Sequence, residues 1–312
     1  MRMYVGMAGC LLSLAPGLSG MAQTKPSRPA ITGISHVCIY TTDAAKSDAF
    51  YQHDLGASKS PDPENALGVR YYFSPVQYVE VLPLPSTETS INRLDHVAFN
   101  TADAAGLRLY MKEHGIAVPE KIENANDGSR WFEVRDPEGN RVQFVQPPAK
   151  PADIPLDGFS SHIIHLGYMV RDDKAENEFY RSLLGFRPYW FGGRAETPAD
   201  WISQQVPDGT DWIEYMMVRD PEKVRIPASV TRTSLGSMDH IALGVPSMKA
   251  AYETLYTGDR LNNRNAGGIK IARDGKWQFN MYDADDTRVE LMEFQPTVKP
   301  CCSAFTASHP AR

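Results

Sequence analysis

The chain has 312 residues, 42% of them hydrophobic and 22% charged, which is typical of a folded protein with about two ordinary domains. A formal net charge of -6 argues against nucleic acid as a partner, because phosphate recognition requires clusters of Lys and Arg that this sequence lacks. A small-molecule substrate and a monomer or homodimer are expected instead. After the N-terminal segment, no run approaches the ~18 apolar residues needed to span a membrane.

The first 22 residues have the pattern of a secretory signal peptide. Arg2 gives a basic start, residues 5–18 form an apolar run, and Gly20 and Ala22 supply the small residues that precede a cleavage site. A proline and three glycines within the apolar run make a buried N-terminal helix a poorer explanation. We therefore expect residues 1–22 to be removed and the mature protein to be secreted or periplasmic.

One phrase occurs four times and divides the rest of the chain into four modules. Each copy begins with His, alternates in polarity as a strand does, and ends on an Asp or Ser suited to capping a helix. The copies are His36–Asp43, His96–Asp103, His165–Asp172 and His240–Ser247. The helices predicted after them are Ala44–Leu55, Ala104–His114, Asp173–Leu184 and Met248–Tyr256.

A second phrase closes each module, namely a strand with one polar residue between apolar neighbours. The polar residues are Glu80, Gln143, Glu214 and Glu290. Residues typical of hairpin turns precede several of these strands, so each module is predicted to be a strand, a helix and about three antiparallel strands. These turns are Asp136–Asn140, Pro207–Thr210 and Asp283–Thr287.

The modules are predicted to form two domains. Four prolines within residues 147–155 indicate a linker, so we expect one domain at 31–147, a linker at 148–158 and a second domain at 161–296. Residues 297–312 are interpreted as an exposed polar tail. This tail carries Cys301 and Cys302, which as neighbours would close a disulfide only with strain.

The repeated polar positions indicate a metal site. A polar residue flanked by apolar ones on a strand faces away from its neighbours, into a lumen or into water. A lone His at a strand end is usually structural, but four of the eight histidines share one register, and carboxylates recur with them. Imidazole and carboxylate are the standard ligands of divalent Fe, Mn, Zn, Ni or Co. His162 is expected on the opposite strand face, and His53, His114 and His309 at the surface.

His-x6-Asp at the start of a module and apolar-Glu-apolar at its end resemble the vicinal oxygen chelate superfamily, which includes glyoxalases, fosfomycin-resistance proteins and extradiol dioxygenases. The resemblance covers nearly all of residues 31–296. It implies an α+β fold in which four βαβββ modules pair into two open, cup-shaped mixed β-sheets. It also implies that each module contributes metal ligands from its first and last strands.

Carried onto this sequence, the resemblance places the stronger metal site in the C-terminal cup. Its expected ligands are His165, Glu214, His240 and Glu290. The N-terminal cup is a weaker candidate because a neutral amide replaces the last carboxylate. Its corresponding residues are His36, Glu80, His96 and Gln143.

Two enzymatic interpretations follow from this resemblance. A glyoxalase-like lyase or isomerase would use all four C-terminal ligands, with Glu214 or Glu290 as the proton shuttle. An extradiol-type dioxygenase would hold Fe(II) with His165, His240 and Glu290 only, and Tyr282 resembles a tyrosine that such enzymes carry. Gly275-Lys276-Trp277 departs from the expected histidine-bearing segment of a dioxygenase, and the residues around Asp286 and Arg288 replace its usual Pro and Gly.

A third interpretation is a small-molecule or drug-binding protein without catalysis. Four of the five tryptophans lie in the C-terminal half, where they could line an apolar pocket or simply pack in the core. They are Trp190, Trp201, Trp212 and Trp277. A metal-free binder has no need of acidic residues at Glu214 and Glu290, so the ligand set argues against this interpretation.

Overall fold

The computed structural model describes residues 27–87, 93–151, 153–156, 158–218, 238–261 and 268–311. The signal-peptide prediction for residues 1–22 lies outside these ranges. None of the helices in the described ranges has the length and apolar character required to cross a bilayer.

The described chain repeats one order of elements four times: a strand, a helix and three further strands. Module 1 contains β1 Ile31–Thr41, α1 Ala44–Asp48, β2 Ser58–Pro61, β3 Val69–Ser74 and β4 Gln77–Pro83. Module 2 contains β5 Leu94–Thr101, α2 Ala104–Glu113, β6 Glu123–Asn124, β7 Arg130–Arg135 and β8 Arg141–Gln146. Module 3 contains β9 Ile163–Val170, α3 Asp173–Asn177, β10 Arg187–Gly192, β11 Trp201–Gln205 and β12 Trp212–Met217. Module 4 contains β13 Met238–Val245, α4 Met248–Thr257, β14 Lys270–Ile271, β15 Trp277–Tyr282 and β16 Arg288–Glu293.

The helices begin where the repeated phrase predicts. The capping residue of each accepts a hydrogen bond from a backbone N–H in the first turn, which satisfies one of the donors that a helix start leaves free. The caps are Asp43, Asp103, Asp172 and Ser247. Helices α1 and α3 continue as π-helical segments, Ala49–Asp54 and Glu178–Leu183, each of which buries a Phe-Tyr pair in the core.

The four modules pair into two eight-stranded mixed sheets, which confirms the predicted fold class. The strand orders are β2-β3-β4-β1-β5-β8-β7-β6 and β10-β11-β12-β9-β13-β16-β15-β14. Within a module the first and last strands run parallel, as β1 and β4 do, whereas the first strands of paired modules run antiparallel, as β1 and β5 do. The four strands that carry the predicted ligands therefore lie side by side at the centre of each sheet. We call the sheets the N-terminal cup and the C-terminal cup.

Hairpin turns join each cup to the other. Asp285, in the turn before β16, accepts hydrogen bonds from the Thr41 and Thr42 hydroxyls at the end of β1. In the corresponding turn before β8, Glu138 accepts the backbone N–H groups of Arg171 and Asp172 at the end of β9. Module 4 thus contacts module 1, and module 2 contacts module 3, in a pseudo-symmetric arrangement.

The C-terminal segment differs from the exposed tail that the sequence indicates. It runs along β10, where the N–H of Thr306 donates to the Tyr189 carbonyl at 3.0 Å and the N–H of Phe191 donates to the Ser303 Oγ at 2.9 Å. Phe305 and Ala307 pack against the apolar cluster inside the C-terminal cup. The segment is held there because the open side of the cup offers an apolar surface that composition alone does not reveal. Its neighbouring cysteines, Cys301 and Cys302, form a disulfide.

Candidate metal centre

The structure brings together the four side chains predicted for the C-terminal site. They lie on four adjacent strands in the order β12, β9, β13 and β16. His165 and His240 are on the two central strands, which pair antiparallel so that Ala242 lies opposite His165 and Gly167 opposite His240. Because side chains alternate along a strand, these residues share the concave face with their neighbours on β12 and β16.

Three ligand atoms form a compact triangle. Nε2 of His165 and Nε2 of His240 are 2.6 Å apart, and Oε2 of Glu290 lies 3.5 Å from each of them. Oε2 of Glu214 is 3.7 Å from the His240 Nε2. Glu214 is also the most accessible of the four, because its side chain is 14% exposed whereas both histidines are at 1%. The arrangement is a two-histidine, one-carboxylate triad with a second carboxyl group at its open side.

The pKa values of the two carboxyl groups, Glu214 and Glu290, are shifted in opposite directions. Burial, together with the charge of Glu290, raises the pKa of Glu214 to about 8. Burial acts on Glu290 in the same direction, but the hydrogen bond from His165 and the charges of His240 and Arg288 outweigh it and lower the pKa of Glu290 to about 2. Burial lowers the pKa of His165 to about 3, so its imidazole is neutral. Neutral imidazole and ionised carboxylate are the forms that bind divalent metals, so this donor set fits such an ion.

Three residues to which the sequence analysis gave no role at the metal site contact the histidines. The ring of Trp212 stacks on His165 with centroids 4.4 Å apart. Gly167 lies beneath the other imidazole, since a Cβ there would be 2.2 Å from Cε1 of His240. The sequence carries one signal for this close approach. Of the four copies of the repeated phrase, only the third has glycine as the second residue after its His. Arg288 contacts His240 from the far side, with its guanidinium nitrogen 2.7 Å from Nδ1.

A cavity of about 310 Å³ opens onto the triad, which is enough for a small organic molecule. Apolar side chains form part of its wall, including Trp190, Trp201, Met216 and Met292. Two of the four tryptophans thus line the pocket, whereas Trp277 packs against the core. Among the described residues that line the cavity Tyr282 does not occur, so its catalytic role stays a prediction.

The candidate ligands of the N-terminal cup also meet. Nε2 of His36 is 2.9 Å from Nε2 of His96 and 3.6 Å from Oε2 of Glu80. Nδ1 of His96 contacts Oδ1 of Asp95 at 2.6 Å, the orientation that frees Nε2 for a ligand. The amide nitrogen of Gln143 donates to Glu64 at 3.0 Å, while its Oε1, the atom that would bind a metal, is buried without a hydrogen-bond partner among the described residues.

Arg70 occupies the N-terminal cup as a buried cation. Its guanidinium nitrogens lie 2.9 Å from Asp62, 2.6 Å from Glu64 and 3.4 Å from Asp127. Burial and the nearby Asp62 raise the pKa of Glu80 well above its usual range, which favours a neutral carboxyl group and weakens it as a ligand. The adjoining cavity measures only about 30 Å³, roughly the room for one water molecule. The contrast with the C-terminal cup makes the latter the better candidate.

The remaining histidines lie outside both clusters. His162 pairs with Asp211 at 2.7 Å and contacts the Ala311 carbonyl at 2.6 Å, away from the metal centre. His53 and His114 are exposed on helical segments, as predicted. His309 differs from its predicted surface position, because it is half-buried and hydrogen-bonded to the Tyr189 hydroxyl in the C-terminal segment.

Comparison with known proteins agrees with this architecture. Residues 33–144 and 162–291 match the family described as Glyoxalase/Bleomycin resistance protein/Dioxygenase superfamily. A search of curated proteins gives no match.

Solved structures with a similar fold include three 2,3-dioxygenases. A substrate complex of homoprotocatechuate 2,3-dioxygenase from Brevibacterium fuscum is 17% identical with a TM-score of 0.62, over 86% of this chain and 82% of that one. The Arthrobacter globiformis enzyme of the same name is 17% identical with a TM-score of 0.61, over the same shares. The 2,3-dioxygenase LapB from Pseudomonas sp. KL28 is 13% identical with a TM-score of 0.60, over 88% and 97%. At these identities the likeness is one of fold.

Proposed function

This chain belongs to the Glyoxalase/Bleomycin resistance protein/Dioxygenase superfamily, and from that premise we propose that it is a metal-dependent enzyme acting on a small substrate with vicinal oxygens. The proposed ligands of the divalent ion are His165, His240 and Glu290. The observation that carries this proposal is the position of the Glu290 Oε2, 3.5 Å from both histidine nitrogens. Such a triad leaves coordination positions free for a substrate.

The proposed reaction is an extradiol-type ring cleavage of a small catechol by dioxygen, in which both oxygen atoms of O2 enter the ring-opened product. A divalent ion in this triad would supply Lewis acidity to oxygens bound in the adjacent cavity. Two observations support the oxygenase class: the triad of His165, His240 and Glu290, and the fold shared with several 2,3-dioxygenases. Glu214, whose Oε2 lies 3.7 Å from the His240 Nε2, is not counted among the ligands in this proposal.

Glu214 is the proton-handling group in this proposal. Its Oε1 accepts a hydrogen bond from the Ser203 hydroxyl at 3.2 Å, and its Oε2 lies 3.7 Å from the His240 Nε2. Glu214 lines the cavity, so its carboxyl group can exchange a proton with a substrate oxygen bound there.

A glyoxalase-like lyase or isomerase is the second candidate. The observation that favours it is that single ligand atoms of Glu214, His165 and His240 lie within 4.8 Å of one another. Glu214 could then serve as a fourth ligand and proton shuttle. The two candidates differ in whether Glu214 is needed to hold the ion.

Elemental analysis of the full chain purified without chelator tests both candidates. We expect about one divalent ion per chain in the wild type, loss of the ion in Glu290→Gln, and retention in Glu214→Gln. Loss in both variants would establish a four-ligand centre and favour the lyase or isomerase. Absence of metal from the wild type would refute the enzyme proposal and leave a metal-free binding protein.

A further inference from the structure

Lys276 is a buried cation in the C-terminal cup. It lies immediately before β15, its side chain is fully buried, and among the described residues its Nζ has no hydrogen-bond partner. The residues two positions before and after it, Asp274 and Gln278, line the 310 Å³ cavity. Its Nζ lies over the ring of Trp212, which in turn stacks on His165, so the side chain of Lys276 enters the cup on the side of the metal centre.

Aromatic rings surround the ammonium group. Nζ lies 4.8 Å from the ring centroid of Trp212, 5.3 Å from that of Phe305 and 5.8 Å from that of Tyr189. Cation–π attraction offsets part of the desolvation cost but supplies no hydrogen-bond acceptor. Burial lowers the pKa of Lys276 to about 8, so the group still carries its charge in slightly acidic solution.

The N-terminal cup also contains a buried cation that lies over an aromatic ring, and there the cation is paired with carboxylates. There Tyr78 stacks on His36 at 4.5 Å, and the guanidinium of Arg70 lies over the Tyr78 ring at 4.2 Å. In the C-terminal cup Trp212 stacks on His165, and Lys276 lies over Trp212. Each cup thus places a cation on the aromatic ring that supports its first histidine.

The two cations differ in their partners. Three carboxylates lie within 3.4 Å of the Arg70 guanidinium, whereas no carboxylate of the described residues forms an ion pair with Lys276. The ring beneath Lys276 adds a second buried donor, since Nε1 of Trp212 has no acceptor among the described residues. The buried ammonium and the buried indole N–H are both hydrogen-bond donors, and an oxygen anion is the kind of group that each can bind.

The charge of the cavity wall points to the same ligand class. Its described lining carries three cationic and three acidic side chains, so the wall has no excess of acidic groups. They are Lys270, Arg273 and Arg288, and Glu214, Asp274 and Glu290. Lys276 adds one positive charge and a divalent ion would add two more, so a cup that contains both attracts an anion.

We propose that Lys276 Nζ and Trp212 Nε1 form a subsite for a carboxylate group, and that the ligand of the C-terminal cup is a small organic acid. That this acid is the substrate rests on the proposed function. The carboxylate would take in this cup the place that Asp62 and Glu64 hold beside Arg70 in the other.

Calorimetric titration with benzoate and benzamide tests the subsite. The two probes have nearly the same shape and differ in charge. At pH 6.5 we expect the full chain to bind benzoate at least about tenfold more tightly than benzamide, the size of effect that one charged hydrogen bond supplies. Equal affinities for the two probes, or no binding of benzoate, would overturn the proposal.

Three variants assign the effect to its residues. Lys276→Met keeps the length of the side chain and should weaken benzoate binding about tenfold while benzamide binding stays unchanged. Trp212→Phe keeps an aromatic ring but removes the indole N–H, and should weaken benzoate binding severalfold. Lys249→Met removes a lysine from the surface of α4, where it is 81% exposed, and should change neither. A Lys276→Met protein that binds benzoate like the wild type would also overturn the proposal.

Metal content separates this inference from the proposed function. Benzoate selectivity in a wild-type protein that contains no metal would leave the subsite standing and refute the enzyme proposal. A wild-type protein with one ion per chain and no benzoate selectivity would refute the subsite and leave the enzyme proposal standing.

Discussion

Tyr51 and Asp283 lie 232 positions apart in sequence, yet the Tyr51 hydroxyl donates to Oδ2 of Asp283 at 3.0 Å inside the core. The contact joins the π-helical segment of module 1 to the turn before the last strand of module 4. Its pseudo-symmetric counterpart joins Tyr180 to Asp136 at 3.5 Å. The Phe-Tyr pairs repeated in the sequence therefore do more than fill the core, because their hydroxyl groups connect the two cups.

Tyr51→Phe should destabilise the fold by about 1–2 kcal/mol, since it removes a buried hydrogen bond to a carboxyl group without leaving a cavity. Denaturant unfolding of the full chain measures the loss. Tyr256→Phe, at a side chain that is 71% exposed, is the matched control and should leave the unfolding midpoint unchanged. Equal midpoints for Tyr51→Phe and the wild type would contradict a stabilising role for this contact.

Asp283 should make stability fall as the pH rises through the mildly acidic range. Burial raises the pKa of Asp283 to about 6 from an ordinary value of 3.8, so the folded state keeps a proton that the unfolded state releases. Stability from this group is complete below pH 4 and is lost by about pH 6, on the order of 2–3 kcal/mol. Asp283→Asn removes the titration.

Urea unfolding at pH 4 and pH 7 measures this effect. The free energy of unfolding of Asp283→Asn, relative to the wild type, should rise between the two values. Parallel pH profiles for the two proteins would show that Asp283 does not titrate in this range.

His240→Ala should abolish metal binding in the C-terminal cup, because it removes one of the two imidazole nitrogens of the triad. His53→Ala is the matched control, since this histidine is 64% exposed and lies outside both clusters. Elemental analysis after dialysis against the metal measures both proteins. Equal metal content in the two variants would refute the ligand assignment.

Gly167→Ala should lower metal affinity at least about tenfold, because the new methyl group would lie 2.2 Å from Cε1 and 3.1 Å from Nε2 of His240 and would displace that ring. Gly244→Ala is a matched control on β13, where a Cβ would meet the ring of Phe294 at 2.2 Å instead. Both variants should lose about 1–3 kcal/mol of stability through overpacking. Metal titration should separate them, and equal affinities would show that Gly167 does not position the histidine.

The positions of the strands, helices and polar residues could be predicted because they depend on short-range periodicity, whereas the pairing of modules into cups and the ligand sets were implied by the family resemblance. The repeated phrase from His to a capping Asp or Ser identified the first strand and helix of every module, and the lone polar residue of each last strand identified Glu214 and Glu290. Alternation alone then placed these side chains on one face. Strand pairing between modules brought that face together at the centre of each sheet.

The residues that distinguish the two cups could not be predicted in the same way. Arg70 lies on β3 and Lys276 just before β15, so no repeated phrase relates them, and each is positioned by an aromatic ring that another strand carries. The position of the C-terminal segment also depends on contacts with residues that are distant in sequence. Phe305 and His309 sit among polar residues in sequence, and only the open side of the cup explains why they are held against it.

The two cups obtain their central positive charge from different sources. This difference decides how the stability of each cup depends on the composition of the solution. Arg70 is covalently part of the chain, so the N-terminal cup keeps its cation at every solution composition. An ion in the C-terminal cup would be drawn from solution, and at a concentration 100 times its Kd would add about 2.7 kcal/mol to stability. The metal concentration would thus change the stability of the C-terminal cup directly. It would affect the N-terminal cup only through contacts between the cups, such as that between Tyr51 and Asp283.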